Sequence, residues 1–316
     1  MSKVDDMPGY LAALAAAATA SVTAFCSGIQ PLLRTDAYLC PPDISQWLTE
    51  PLWGFVAQTL VLWTVSIAAI QLNRRCNLEP GTSALPATFF LIATAAVPAV
   101  TVSPSSASLL AAAAVLALRQ LLPRADRDAA RELFLAASAT SFGAMTQYAF
   151  IPLALALLPA AAILGQLNAK AIAAYLMGLA APWAIMLGFG AVSPFEIRLP
   201  EVWESGITSQ WGALAAAALT ALTGIVLMVR AAMTPQTRST LIMRQNRAIG
   251  TLLTVMTLAM AVDYTNFAVY VPAVSLLTGF FTAGITSENT NASPTPLILT
   301  LSAAYTALYV MQIMQL

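Results

Sequence analysis

Residues 133–168, LFLAASATSFGAMTQYAFIPLALALLPAAAILGQLN, are 36 consecutive positions without a formal charge. Few folds accommodate such a run. A helix that crosses the hydrocarbon core of a bilayer needs about 20 apolar residues. The run is therefore too long for one crossing and about right for a hairpin of two short ones, turning near Tyr148–Pro152. On its N-terminal side it meets RQLLPRADRDAARE (119–132), which carries the four arginines Arg119, Arg124, Arg127 and Arg131. On its C-terminal side it meets Lys170. An apolar stretch closed off by basic residues is the pattern that recurs along the chain.

Composition decides which solvent such stretches face. A soluble domain is about a quarter charged, whereas this chain is 9% charged and 59% hydrophobic, with a mean hydropathy of +0.77. It has too few polar side chains to cover a surface in water. In lipid every backbone group must be paired within the protein, which favours helices. Ala and Leu dominate the apolar runs and period-2 alternation is missing, which argues against a β-barrel. The expected fold is all-α, a polytopic transmembrane helical bundle forming one integral membrane domain over 1–316.

The spans follow from the same reading. They are 8–30, 51–72, a third near 85–102 interrupted by Pro98, 106–122, the hairpin 133–168, 170–191, 211–231, a second hairpin over 248–286 broken around Asp263–Pro272, and 297–316. The total is about 11, within 10–12. The N-terminal apolar run is too long for the core of a signal peptide and reads as a retained first span.

Lys and Arg in short loops stay on the cytoplasmic side. With the N-terminus cytoplasmic, twelve of the fourteen basic residues fall inside, and only Arg34 and Arg198 fall outside. Were 133–168 a single crossing, Lys170 and the four arginines at 230, 238, 244 and 247 would face outward. Two crossings are therefore expected there. No such check reaches the C-terminal spans, where basic residues run out.

Several chemistries are excluded early. The chain has neither a GxxxxGK[ST] nor a strand-borne GxGxxG motif. The basic loops are accounted for by threading, so no nucleic acid partner is expected. Cys26, Cys40 and Cys76 form no CxxC pair, and the chain has no His. The usual zinc and haem ligand sets are thus out of reach, and no metal or cofactor is expected.

The candidate site residues fall in three groups. Asp263 is the one acid within an otherwise apolar stretch, LAMAVDYTNFAVYVP. A carboxylate at mid-membrane costs about 2.5–3.5 kcal/mol on insertion scales and tends to face a cavity or a partner. Asp263 reads either as an ion or substrate contact assisted by Asn266 and Tyr264, or as a residue near the outer end of its helix, close to headgroups. A second group, Arg34, Asp36, Asp43, Glu50, Glu196, Arg198, Glu201 and Glu204, lies in the outward loops. It reads as a solvated acidic face, or as the acids and arginines with which an enzyme grips a lipid-phosphate donor at the membrane edge. Gln147 and Tyr148, at the turn of the first hairpin, and Trp183 beside Pro182 read either as cavity lining or as interfacial and packing groups.

Three stretches carry a family resemblance. They are NRRCNLEPGTSALPATFFLIATAAVPAVTVSPSSASLLAAAAVLAL, ARELFLAASATSFGAMTQYAFIPLALALLPAAAILGQLNAKAIAAYLMGLAAPWAI and DYTNFAVYVPAVSLLTGFF. In order and spacing they resemble an uncharacterised family of multi-pass inner-membrane proteins from Bacteroidetes. The shared features are a Leu-Pro start to the third span, a Ser-Pro turn, a glycine in the fifth span, a Gly-x-x-x-Pro in the seventh and a proline in the penultimate span. The resemblance covers roughly residues 50–285, and here the family's aromatic and basic residues are thinned into Ala. It implies a place in the bacterial cell envelope. It also implies a layout distantly similar to polytopic envelope glycosyltransferases and polysaccharide polymerases, which act on polyprenyl-linked sugars.

Three functions follow as expectations. In the first, an enzyme acts on a lipid-linked sugar, with the catalytic residues Asp36 or Asp43 as base or metal contacts and Arg34, Glu196 and Arg198 binding. In the second, a transporter or flippase is centred on Asp263 and on the two broken hairpins, 133–168 and 248–286. In the third, a non-catalytic subunit docks on other membrane proteins. In each the lipid bilayer is the surrounding partner.

Overall fold

The computed structural model describes residues 7–29, 50–76, 84–102, 106–122, 129–190, 211–233, 240–282 and 295–314. Among these residues the regular structure is helical, with no strand. In chain order the helices are α1 (Met7–Cys26), α2 (Pro51–Cys76), α3 (Leu85–Ala95), α4 (Pro98–Thr101), α5 (Ser106–Leu121), α6 (Ala129–Thr146), α7 (Phe150–Ile163), α8 (Ala169–Gly188), α9 (Trp211–Met233), α10 (Thr240–Val262), α11 (Phe267–Thr282) and α12 (Thr295–Met314). A 3-10 turn, Tyr264–Asn266, joins α10 to α11.

The third expected span is two helices, because Pro98 has no N–H to extend the ladder from α3. Val97 takes a non-helical backbone before it, as a residue preceding proline tends to. The buried Gln58 side chain of α2 ties this break down. Its amide donates to the Val100 carbonyl (2.7 Å) and its own oxygen accepts from Ser108 (2.9 Å). Elsewhere the helices run further into the basic stretches than the apolar runs do. α6 begins at Ala129 and α10 at Thr240, taking in Arg131, Arg244 and Arg247. Arg, Leu and Gln are good helix formers, and the long arginine side chains reach away from an apolar neighbourhood without breaking the helix.

At the centre stands α11, packed against α3, α5, α9 and α10. Every residue from Asn266 to Phe281 is buried. The approach to α3 is close enough that a Cβ on Gly279 would stand 2.7 Å from the Pro86 carbonyl oxygen. Without a hydrophobic force between helices in lipid, such backbone contact across small residues is what holds a bundle together.

Around this core α1, α2, α8 and α9 are long and apolar enough to cross a membrane, and most of the surface of each is exposed. Leu11, Trp53, Leu60, Trp63, Ile67, Leu176, Met177, Leu222 and Val226 all point outward. In water an apolar belt of this kind would drive association; lipid tails cover it without penalty. The chain is a helical bundle with the surface of a membrane protein.

Candidate functional site

Two interhelical turns meet inside the bundle. The first, Gln147–Ala149, separates α6 from α7 at the position the charge-free run predicts. The second, Asp263–Asn266, separates α10 from α11. α10 packs along α7, which brings the two turns to the same end of the molecule. At the opposite end the Gln166 amide donates to the Leu121 carbonyl (2.9 Å), and Arg244 lies against Gly165.

The Asp263 carboxylate is the focus. The Tyr148 hydroxyl, 115 residues away in the chain, donates to Oδ2 at 2.7 Å. The Tyr270 hydroxyl, about one turn into α11, donates to the same oxygen at 3.1 Å. Asn266 Nδ2 donates to Oδ1 at 3.1 Å, lies 3.3 Å from Oδ2, and also donates to the Tyr148 oxygen. An amide nitrogen carries two hydrogens and a phenol both donates and accepts, so one continuous network joins the four side chains. Asp263 is 4% exposed and Asn266 5%, so protein rather than water surrounds them. At the adjoining position in the turn, Gln147 is also buried and its Oε1 has no hydrogen-bond partner.

α8 closes the site. Trp183 packs against Tyr148 and Met145, and Met186 packs against Met145. Both follow Pro182, which sits inside the helix and leaves the Gly178 carbonyl without its donor four residues on. The Ser138 hydroxyl of α6 donates to that carbonyl at 3.2 Å, and Ser141 donates to Leu179 O at 2.6 Å. The contact requires glycine at 178, where a Cβ would meet the Phe134 carbonyl oxygen at 2.5 Å. Ser138 on α6 thus repairs the ladder of α8 from outside, a known way for membrane helices to tolerate proline, and Ser141 adds a second tie. They also lock α6, which leads into Tyr148, to the helix that covers it.

The structure therefore brings together Asp263, Asn266 and Tyr148, places Gln147 in the same turn as Tyr148, and adds Tyr270. Spacing did hold a clue to Tyr270: it lies seven positions after Asp263, the offset at which a helix returns to the same side. Arg34, Asp36, Asp43, Glu196, Arg198, Glu201 and Glu204 lie outside the described residues, as does Cys40. Cys26 is exposed and Cys76 half-buried. Glu50 stands exposed at the start of α2.

A second feature shares no residue with this cluster. A cavity of about 690 Å³ opens between α1, α3 and α12, lined by Ala13, Ala17, Ile92 and Leu299 with the hydroxyls of Thr88 and Tyr309.

No known protein family, curated protein or solved structure matches this chain.

Proposed function

We propose that this chain is a bacterial inner-membrane transporter of eleven crossings, N-terminus inside, whose solute or coupling-ion site is the Asp263 network. The observation that carries the reading is the meeting of two interhelical turns on a buried carboxylate. A buried acid in a membrane bundle is costly and marks a pathway or relay more often than a structural contact.

The threading has two supports. Twelve of fourteen basic residues sort to one side when the N-terminus is inside. Towards the C-terminus, α12 runs parallel to α3, since the Tyr305 ring packs on Phe89 at 6.1 Å and Gln312 donates to the Ala96 carbonyl. α3 is the third crossing in this threading and α12 the eleventh, both odd. Helix length then sets the depth of the site. The 16 positions from Arg247 to Asp263 rise about 24 Å at 1.5 Å per residue, against a hydrocarbon core of about 30 Å. With Arg247 at the cytoplasmic boundary, Asp263 lies a few ångströms beneath the outer one, under Trp183 and Met186 of α8.

An enzyme acting on lipid-linked sugars would instead rest on Asp36 and Asp43, outside the described residues. The test is flux. Proteoliposomes of the full chain are challenged with pools of small solutes under an imposed gradient, and the current or uptake is compared with protein-free vesicles. Protein-dependent flux that falls at least tenfold in Asp263→Asn, at equal insertion, is expected. Vesicles as tight as the protein-free control to every pool, or flux indifferent to Asp263→Asn, would contradict the reading.

A further inference from the structure

The cavity between α1, α3 and α12 is a slot with two walls and a floor. α1 packs on α3, and α12 packs on α3 and α9, so α1 and α12 rise as walls from a shared base. α1 turns a ridge of alanine to the gap: Ala12, Ala16 and Ala20 line it at four-residue spacing, which is one face of a helix. We propose that this slot holds an acyl chain of a bilayer phospholipid. The slot shares no residue with the Asp263 network, and its occupancy is independent of the transport reading.

Its dimensions suit a chain and are too narrow for a helix. The lining runs from Gly9 to Thr23 on α1, from Leu85 to Ala96 on α3 and from Leu299 to Val310 on α12. At 1.5 Å per residue these are lengths of about 17–21 Å. One leaflet reaches a little less, half of a hydrocarbon core of about 30 Å. Spread over the length of the slot, about 690 Å³ gives a mean cross-section of about 33–41 Å² and a width of about 7 Å. A helix with its side chains is about 10–12 Å across, too wide to settle between α1 and α12. A hydrocarbon chain is narrower and bends to the shape of the slot.

The chemistry of the lining points the same way. Among the described residues, no charged side chain lines the slot. Thr19, Thr23, Thr88 and Thr306 each donate to a backbone carbonyl three or four residues back, at 2.8–3.1 Å. The Tyr305 hydroxyl is paired with Thr220 of α9 at 2.9 Å. Water in a cavity needs two to four polar partners, and these hydroxyls have already spent their hydrogens. An empty slot would forfeit dispersion contacts along its walls. Lipid tails are as apolar as Leu, and a tail in the slot touches protein on three sides, against one side on the outer surface. Near one end the Tyr309 hydroxyl reaches from α12 to the Ala20 carbonyl at 2.7 Å and bridges the two walls. The chain therefore enters from the Gly9–Leu299 end, with its terminal methyl towards Tyr309.

The full chain is reconstituted with palmitoyl-oleoyl phosphatidylethanolamine, extracted into a mild detergent and weighed by native mass spectrometry. A tail held on three sides outlasts extraction, so an adduct of a single phospholipid is expected. Ala16→Trp places an indole in the slot from an exposed position and should lower the ratio of adduct to bare chain about tenfold. Leu222→Trp, on the outward face of α9, should leave that ratio unchanged. Should Ala16→Trp fail to fold, Ala12→Trp, one turn away and also exposed, carries the test. A bare chain, an adduct undiminished in the slot-filling variants, or an adduct lost equally in Leu222→Trp overturns the proposal. A two-chain species that dissolves in Ala16→Trp would give the slot to a second copy, and an adduct of palmitate mass alone would give it to a free fatty acid; either result also overturns the proposal. Protein-dependent flux, present or absent, does not alter these outcomes.

Discussion

Asp263 holds three donors in place, and its loss would leave two phenols and an amide facing one another in a site that admits little water. Removing the acceptor from buried donors costs about 1–3 kcal/mol, so Asp263→Ala should lower stability by roughly that amount in reversible unfolding from mixed micelles. Tyr270→Phe removes one donor and keeps the ring, and the other two donors stay on the carboxylate. It should cost less, about 1 kcal/mol, in the same measurement. Equal losses in the two variants would mean that the network does not act through the carboxylate. At this scale the sequence was partly legible. An acid isolated in LAMAVDYTNFAVYVP announces itself through charge alone, and Asn266 comes with it by proximity. That Tyr148 would reach it from 115 residues away could not be read from either stretch, because pairing between hairpins is decided by which helices pack side by side. A tyrosine in an apolar helix reads as packing, which hides the role of Tyr270.

Among the elements, α8 shows how a local defect becomes a structural joint. Pro182 strips the Gly178 carbonyl of its partner, and Ser138 supplies a replacement from α6. The two residues should therefore be energetically coupled. Ser138→Ala should destabilise the wild-type background by about 0.5–1.5 kcal/mol. In a Pro182→Ala background, where the helix regains its own donor, it should cost little, giving a coupling energy of about 0.5 kcal/mol or more in a double-mutant cycle. Strictly additive effects would show that the serine does not serve the proline-broken turn. Gly178→Leu should be far worse than either, since a side chain there collides with the α6 backbone; loss of the folded protein from the membrane fraction is the expected readout. The helices themselves follow closely from the sequence, including the break at Pro98 and the turn after Thr146. Their ends do not. α6 and α10 begin among arginines because helix propensity continues past the point where hydropathy stops.

Over the whole molecule, short helices stand inside long ones. α7, with 14 residues, is about 21 Å long and α11, with 16, about 24 Å. α2, with 26 residues, reaches about 39 Å. In the proposed threading, inner helices too short for a core of about 30 Å would leave their turns below the membrane surface, with Asp263 and Tyr148 meeting there. The depth of the site, and its nearness to the outer face, thus depend on which water phase each loop occupies. Alkaline phosphatase fused after residue 128, after residue 205 and at Leu316 measures this directly, since the enzyme is active only outside the cytoplasm. The fusions after 205 and at Leu316 should be active and the fusion after 128 silent. Activity after 128, or silence at either of the other two, would contradict the threading and with it the placement of the Asp263 network beneath the outer face.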